Sequence, residues 1–326
     1  MRQSVLNSLP GLKTMATYLV TGGAGFIGSH VVHELVRRGE VVRVLDNLST
    51  GRIANLAQVS DRITFHQVDI RDRSVISPLF REAQYVIHLA ALPSVARSIE
   101  DPLTANAVNI TGTLHVLLAA HDAGVKRLVF AASAAAYGDN PTMPRVETLS
   151  PDPLSPYALG KLAGEYYCRI FTRIYSLETV ALRYFNIFGP RQNPDSPYTG
   201  VLSKFVAAYQ RGNTPVIFGD GNQSRDFTYV DNVVDATLKA CSAPAAAGKV
   251  INVGVGASYT LNHTIDVLNG IFGRQVRPQY DPPRIGDVLH SLADISLARQ
   301  TLGYEPRVSF EEGLRRTVEW FRTEGK

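Results

Sequence analysis

Short apolar runs alternate with segments of helical periodicity along the first half of the chain. Six apolar runs of strand length predict buried β-strands, at residues 18–20, 41–45, 63–68, 85–89, 127–131 and 179–185. The segments between them carry apolar residues at helical spacing and predict helices, at residues 26–38, 73–80, 103–123 and 156–175. Strands that alternate with crossover helices form a parallel sheet with helices on both faces. The pattern therefore predicts a doubly wound α/β fold.

The pattern changes after Asn186. Pro and Gly are scattered over residues 189–200, and only short mixed elements follow. We therefore expect the doubly wound domain to cover residues 16–185. Residues 186–326 should form mainly a smaller substrate-binding domain over the strand ends, with some elements that return to the first domain.

Composition narrows the possible functions. The 326 residues are 45% hydrophobic and carry a net charge of +4, but Lys and Arg form no basic block, so we expect no nucleic-acid partner. Cys168 and Cys241 are the only cysteines, which predicts neither disulfides nor a metal site and favours a reducing, cytoplasmic compartment. No apolar run approaches the ~20 residues of a membrane span. Residues 1–15 are interpreted as an N-terminal extension without a secretory signal.

The segment TGGAGFIGSH joins the first predicted strand to the first predicted helix. Gly22, Gly25 and Gly28 would allow, in turn, a tight turn, close approach of the backbone to a pyrophosphate, and close packing of helix on strand. Free N–H groups at the helix start would bind the phosphates. A glycine triplet can also be only a tight connection, but its place between strand and helix favours a Rossmann-type dinucleotide loop.

Asp46 ends the second predicted strand, roughly 20 residues after the glycine loop. From there a carboxylate can accept hydrogen bonds from the adenosine ribose hydroxyls, and its charge would repel a 2′-phosphate. The sequence therefore predicts NAD rather than NADP. The alternative is a solvated residue at a strand end.

A candidate catalytic group lies at two further strand ends. Ser133 falls just past the strand predicted to end near Ala131, and Tyr157 and Lys161 are spaced i and i+4 at the start of a helix, on one face. A free tyrosine has a pKa near ~10, but an adjacent cation favours the phenolate. Tyr157 could then take a proton from a substrate hydroxyl while a cofactor takes hydride from the same carbon. A Tyr-x-x-x-Lys pair alone also arises on ordinary amphipathic helices.

Together, TGGAGFIG, SPYALGK, LRYFNIFGPRQ and GDGNQSRDFTYV resemble the extended short-chain dehydrogenase/reductase family, over nearly the whole chain from Tyr18. Within it, the chain is most similar to UDP-hexose 4-epimerases, specifically those acting on UDP-N-acetylglucosamine. The resemblance implies that Ser133, Tyr157 and Lys161 are the catalytic trio and that Ser133 binds the sugar 4-oxygen. It also implies tightly bound NAD, and a homodimer joined by the helices that begin near Leu103 and at Pro156.

By position, the resemblance also implies two sets of binding residues. The cofactor would be contacted, besides by the glycines, Asp46, Tyr157 and Lys161, by Phe26, Ile27, Asn47, Ser49, Thr50, Asp69, Ile70, Leu89, Ala90, Asn109 and Tyr184. The UDP-sugar would be contacted, besides by Ser133, by Ser94, Asn186, Val216, Phe218, Arg225, Arg284, Asp287 and Ser291. The two arginines would face the diphosphate, which suits their planar, bidentate guanidinium groups.

Two features of the sequence favour a particular reaction and sugar. Dehydratases and decarboxylases of the family carry carboxylates where this chain has Ala134 and Ala135, which leaves oxidation and reduction at carbon 4. The implied cycle removes hydride from carbon 4, lets the 4-keto sugar rotate, and returns hydride to the opposite face. Relatives restricted to glucose resemble one another in a tyrosine at the position of Ser291. The smaller serine would leave room for an N-acetyl group, with Ser94 bonding its amide.

Two alternatives remain open at the level of the sequence. One is epimerisation of a UDP-uronic acid, which requires a cation near carbon 6 that the sequence does not place. The other is a catalytically silent, NAD-binding regulator, against which the complete set of Ser133, Tyr157 and Lys161 argues.

Overall fold

The computed structural model describes residues 15–192, 200–283 and 289–323. Most of its strands are short, and the longest belong to one sheet. In chain order they are β1 (Thr17–Thr21), β2 (Val41–Asp46), β3 (Ile63–Gln67), β4 (Tyr85–His88), β5 (Arg127–Ser133), β6 (Glu178–Tyr184), β7 (Ile187–Phe188), β8 (Val216–Phe218), β9 (Ser224–Arg225), β10 (Thr228–Tyr229), β11 (Val250–Val253), β12 (Tyr259–Thr260) and β13 (Gln279–Asp281).

Seven strands form a central, all-parallel sheet in the order β11-β6-β5-β4-β1-β2-β3. The predicted doubly wound sheet is therefore confirmed. The order reverses next to β1, so the carboxyl ends of β1 and β4 border the crevice where such sheets bind ligands. β5 is two residues longer than predicted, because it pairs with β6 from Arg127 opposite Glu178 to Ser133 opposite Tyr184. Ser133 is thus the last residue of the strand and not a loop residue.

The helices cover both faces of this sheet and the cleft at its edge. They are α1 (Phe26–Arg37), α2 (Arg73–Ile76), α3 (Val95–Glu100), α4 (Pro102–Asn106), α5 (Thr113–Asp122), α6 (Pro156–Ile174), α7 (Val201–Arg211), α8 (Val230–Ser242), α9 (Leu261–Phe272), α10 (Ser296–Leu302) and α11 (Phe310–Thr323). The predicted helix at 73–80 is α2 followed by a 3₁₀ turn that contains Pro78. The predicted helix at 103–123 is α4 and α5 joined by a π turn at Ala107–Gly112.

Alternate residues of the central strands pack into two separate hydrophobic cores. Leu128 packs in the core that includes Val116 of α5, whereas its neighbour Val129 packs in the core that includes Val32 of α1. Successive side chains of a strand point to opposite faces, so a strand covered on both faces must be apolar throughout. Burial of both faces of the sheet therefore explains the unbroken apolar runs in the sequence. β11 comes from the later part of the chain and extends the same sheet beside β6.

Among the described helices, the stretch Pro102–Asp122 is long and apolar enough to cross a membrane by length and composition alone. Val116 and Leu117 of this stretch are fully buried in the core beneath the sheet. Buried core helices of α/β proteins commonly have this composition, since one side faces the sheet and the other a neighbouring helix. Cys168 and Cys241 are both buried and free of disulfide bonds.

Candidate active site

A glycine turn joins β1 to α1 at the crevice. Gly22 has a φ of +70°, and a Cβ there would lie only 2.7 Å from the backbone nitrogen of Ala90. A Cβ on Gly28 would lie 2.1 Å from the carbonyl oxygen of Gly22. Gly25 is the N-cap of α1 and has no side chain to cap the helix. The turn therefore brings free helix N–H groups to the crevice with no Cβ in the way, which fits a dinucleotide pyrophosphate.

Asp46 closes the next strand and is only 7% exposed. Its two carboxylate oxygens accept hydrogen bonds from the backbone N–H groups of Ala24, at 2.9 Å, and Leu48, at 2.8 Å. Burial raises the pKa of this carboxyl above its usual range, and the two N–H donors partly oppose that shift. The alternative of a solvated residue at a strand end is therefore wrong. A carboxylate has about four lone-pair sites, so two remain for ribose hydroxyls.

The candidate catalytic residues come from the end of β5 and the first turns of α6. Ser155 caps α6 through a 3.1 Å bond from the Ala158 N–H, and Pro156 occupies the first helical position. This start fixes Tyr157 and Lys161 one turn apart on the side that faces the sheet. Lys161 is only 5% exposed, and its ammonium donates a 2.7 Å hydrogen bond to the carbonyl oxygen of Ala131.

The electrostatics of this group differ from the prediction. Burial lowers the pKa of Lys161 to about 8. Burial raises the pKa of the Tyr157 phenol above its ordinary value, and a hydrogen bond with Ser133 lowers it in part. In the polypeptide without cofactor, desolvation therefore governs the pKa of Tyr157, and the ammonium of Lys161 is bonded to Ala131.

A cavity of about 260 Å³ lies between the end of β7, the start of α7 and the loop around β8, and Ser133, Tyr157 and Lys161 are not among its lining residues. Four of the residues assigned to the substrate line it: Asn186, Val216, Phe218 and Arg225. Apolar walls with a few polar groups and one arginine suit a ligand that combines a flat base with an anionic group.

Residues 18–254 match the model of the NAD dependent epimerase/dehydratase family. The chain belongs to this family. It is 40% identical to the UDP-glucose 4-epimerase of Mycolicibacterium smegmatis, over 94% of this chain and 99% of that protein. It is 36% identical to a UDP-glucuronate 4-epimerase of Thermodesulfobacterium geofontis, over 94% and 96%. A UDP-N-acetylglucosamine 4-epimerase from Methanobrevibacter ruminantium, solved with UDP-N-acetylmuramic acid, superposes with a TM-score of 0.92 at 40% identity, over 96% and 100% of the chains.

In this NAD dependent epimerase/dehydratase fold, two of the predicted cofactor contacts, Asn47 and Asp69, lie side by side. Asn47 donates a 2.8 Å hydrogen bond to Asp69, and hydrogen bonds from Arg71 lower the pKa of Asp69 to about 2. Asn47, Ser49 and Thr50 are exposed, while Ile70 is buried. Phe26 and Ile27 open α1 and are half-buried. Their contacts with NAD stay predictions.

The remaining predicted cofactor contacts fall into two groups. Leu89 and Ala90 follow β4 and run against the glycine turn, as the close approach of Ala90 to Gly22 shows. The side chains of Asn109 and Tyr184 are hydrogen-bonded to other groups of the protein. The Asn109 amide, in the π turn, binds both backbone groups of Leu92, at 2.8 and 3.1 Å. The Tyr184 phenol is hydrogen-bonded to Thr237 of α8, so only its backbone and ring remain for the cofactor.

The structure brings Ser291 and Asn186 together on the sugar side. The Asn186 amide lies within 3.5 Å of the Ser291 hydroxyl, which is buried, and the Ser291 N–H donates to the carbonyl oxygen of Ser224. The Arg225 guanidinium donates to the Ser224 and Leu289 carbonyl oxygens at 3.0 Å and borders the cavity. The Ser94 hydroxyl caps α3 by accepting the N–H of Arg97. Arg284 and Asp287 lie outside the described residues.

Sequence reasoning missed several residues that line the cavity, notably Gln192, Val201 and Gln223. The Gln223 amide donates a 2.5 Å hydrogen bond to the carbonyl oxygen of Phe218, and Gln192 accepts one from Ser203 at 2.6 Å. Both glutamines stand inside the motifs LRYFNIFGPRQ and GDGNQSRDFTYV, so the signal was present. Their orientation toward the cavity depends on how two loops fold together.

Because Asp46 is buried beside the glycine turn, we expect NADP to bind on the order of 100-fold more weakly than NAD. The 2′-phosphate would meet a desolvated carboxylate that cannot turn away. Calorimetric titration of protein stripped of cofactor measures the ratio. Asp46→Asn removes the charge and should reduce the ratio of NAD affinity to NADP affinity. If the wild type binds both cofactors with equal affinity, Asp46 does not have this role.

Proposed function

We propose that this protein is an NAD-dependent UDP-N-acetylglucosamine 4-epimerase, which interconverts the gluco and galacto forms. The family match, the glycine turn, and the group of Ser133, Tyr157 and the buried Lys161 support a 4-epimerase of a UDP-sugar. The observation that carries the choice of sugar is the small, buried Ser291 beside Asn186.

Each catalytic residue has a distinct task in this proposal. As the phenolate, Tyr157 takes the proton of the sugar 4-hydroxyl and, as the resulting phenol, later returns it, while Ser133 holds the 4-oxygen through its hydroxyl. In the holoenzyme, the buried positive charge of Lys161, one helical turn away, would act together with the oxidised nicotinamide to oppose the effect of desolvation and favour the phenolate. The glycine turn and Asp46 would hold NAD, which would supply the hydride acceptor and donor for carbon 4.

The turn after Ser133 supports epimerisation over elimination. Ala134–Tyr137 forms a 3₁₀ turn whose first three residues are alanines, and Ser133 caps it by accepting the N–H of Ala135 at 3.1 Å. A dehydratase needs an acid and a base at this point to expel water. Alanine methyl groups supply neither, so proton transfer falls to Tyr157 alone.

The preference for an N-acetylated sugar follows from volume and rigidity at Ser291. Its backbone is tied to Ser224, and two residues later the N–H of Ala293 donates to the buried carboxylate of Asp226 at 3.2 Å. A segment held at both points cannot move aside for a larger ligand. The space for a carbon 2 substituent is therefore set by the side chain itself, and serine leaves more than an aromatic residue would.

The direct test is to incubate purified protein separately with UDP-GlcNAc, UDP-Glc and UDP-GlcNAcA, without added NAD, and to resolve the epimers by chromatography. We expect UDP-GlcNAc to give UDP-GalNAc with the highest kcat/KM. Preferred turnover of UDP-GlcNAcA would replace the proposal by a uronic-acid epimerase. Bound NAD without turnover of any of the three would indicate a silent regulator.

We also propose that the enzyme is a homodimer, because α6 presents an apolar stripe to solvent. Leu159, Tyr166 and Ile170 are exposed and spaced by seven and eleven residues, which places them on one side of the helix. Leu103, at the start of α4 beside α6, is 83% exposed. Contiguous exposed apolar surface on two adjacent helices is typical of a protein interface.

In such a dimer, Ile170→Asp places a charge on the apolar stripe of α6 that the partner subunit would cover. We expect it to convert the dimer largely to monomer, weakening association by roughly 100-fold or more. Sedimentation velocity at micromolar concentration measures the distribution. Ile53→Asp, an equally exposed position remote from α6, is the matched control and should leave the dimer intact. If the wild type sediments as a monomer, the homodimer proposal is wrong.

A further inference from the structure

Ser98 of α3 makes a contact with the catalytic helix that its position in the sequence does not suggest. It is fully buried. Its hydroxyl accepts a 3.1 Å hydrogen bond from the backbone N–H of Tyr157, a residue 59 positions further along the chain. The same hydroxyl donates a 2.6 Å hydrogen bond to the carbonyl oxygen of Val95. With its proton fixed on Val95, the oxygen presents a lone pair to Tyr157.

The first turn of a helix leaves several N–H groups without partners inside the helix. In α6, Pro156 has no N–H, and the N–H groups of Ala158 and Leu159 bind the side chain and the carbonyl oxygen of Ser155. The remaining donor of this turn is the N–H of Tyr157, and its partner is Ser98. The other N–H groups of this turn bind Ser155, which directly precedes the helix. The bond from Tyr157 to Ser98 is therefore the one that joins the first turn of α6 to another segment.

The placement matters because Tyr157 is the residue whose phenol must reach the sugar. A hydrogen bond to its own backbone fixes the point from which the side chain extends. Proton transfer requires donor and acceptor at hydrogen-bonding distance, and a displacement of about 1 Å can cost on the order of 100-fold in rate. Both hydrogen bonds of the Ser98 hydroxyl join backbone groups, so the hydroxyl would influence proton transfer through the position of Tyr157.

We propose that Ser98 is a positioning residue for catalysis: its hydroxyl holds the first turn of α6 where the Tyr157 phenol meets the sugar 4-hydroxyl. The inference rests on the proposed function, in which Tyr157 transfers the proton. It adds α3, which also carries Ser94 at its N-cap, to the catalytic framework.

Steady-state kinetics with the UDP-sugar that the wild type turns over test the proposal. Ser98→Ala is expected to lower kcat by roughly 10- to 100-fold while KM stays within about threefold and NAD remains bound. Ser98→Thr keeps the hydroxyl and should restore most of the loss. A Ser98→Ala enzyme with wild-type kcat overturns the proposal.

Two further measurements separate positioning from general destabilisation. Thr317→Val removes a comparable buried hydroxyl, which donates to Gly313 within α11, and should leave kcat unchanged. In a Tyr157→Phe background, Ser98→Ala should have no additional effect on the residual rate, since the group that it positions is gone. Additive losses would show that Ser98 acts by another route.

Amide hydrogen exchange of the wild type keeps the proposal testable if no Ser98 variant folds. The Tyr157 amide should exchange as slowly as the Ala158 amide. If it exchanges in the folded protein at the rate of an unprotected amide, the hydrogen bond to Ser98 is not formed and the proposal is wrong. The two proposals also fail differently. Absence of epimerised product from the wild type, or an unimpaired Tyr157→Phe enzyme, removes the proposed function, whereas an unimpaired Ser98→Ala enzyme removes only this inference.

Discussion

Tyr157→Phe is expected to lower kcat by about 100- to 10,000-fold, the range that positioned acid–base groups typically contribute. The phenyl ring can pack as the phenol does, but the acceptor for the sugar proton is lost. Ser133 cannot replace it, because its hydroxyl is not a base at neutral pH. The epimerisation rate under saturating UDP-GlcNAc is the quantity to measure.

The control for this substitution is Tyr167→Phe, which removes a phenol from the same helix ten residues on, at a half-buried position. It should leave kcat unchanged. Tyr157→Phe should also retain bound NAD and an unchanged thermal midpoint, so that a lost rate cannot be assigned to unfolding. A Tyr157→Phe enzyme with nearly wild-type turnover would remove Tyr157 from the mechanism.

The second large effect is expected at Ser291. Replacing it with tyrosine would place an aromatic ring in the space assigned to the N-acetyl group, while a 2-hydroxyl could still fit. Overpacking typically costs about 1 to 3 kcal/mol, so discrimination against UDP-GlcNAc relative to UDP-Glc should rise by roughly 5- to 150-fold. The ratio of the two kcat/KM values measures the effect.

Ser291→Ala is the matched control, because it keeps the space open and removes only the hydroxyl near Asn186. Its ratio of kcat/KM values should stay close to that of the wild type. If Ser291→Tyr folds and retains NAD but leaves the ratio unchanged, Ser291 does not border carbon 2. The assignment of an N-acetylated sugar would then lose its main support.

Sequence reasoning was most successful where function depends on local geometry. The glycine loop was predicted from spacing alone, and the structure supplies the reason for two of its members: a Cβ on Gly22 or Gly28 would collide with backbone atoms. The i and i+4 spacing of Tyr157 and Lys161 placed both on one face of α6, which begins at the predicted Pro156. Helical periodicity and turn sterics act within a few residues, so both leave a direct pattern in the sequence.

Predictions about the burial and the pKa of individual side chains were less successful. Asp46 could be assigned to a strand end, but its burial and its two backbone donors depend on how the glycine turn folds over it. Lys161 and an oxidised nicotinamide were expected to lower the pKa of Tyr157, but desolvation, which raises this pKa in the polypeptide alone, was not considered. Burial is a property of the packed chain, and the pKa of a side chain depends on all the segments around it.

The sequence by itself determined the alternation of strands and helices, the glycine turn and the spacing of the catalytic pair, because each depends on interactions between near neighbours. Only the tertiary structure decided that Ser98 binds the N–H of Tyr157, that Asn186 meets Ser291, and that β11 joins the sheet beside β6. These contacts join segments that are far apart in the chain. They are fixed by strand order and by the packing of helices on the sheet, and such packing selects partners by shape and burial, which no local pattern of residues records.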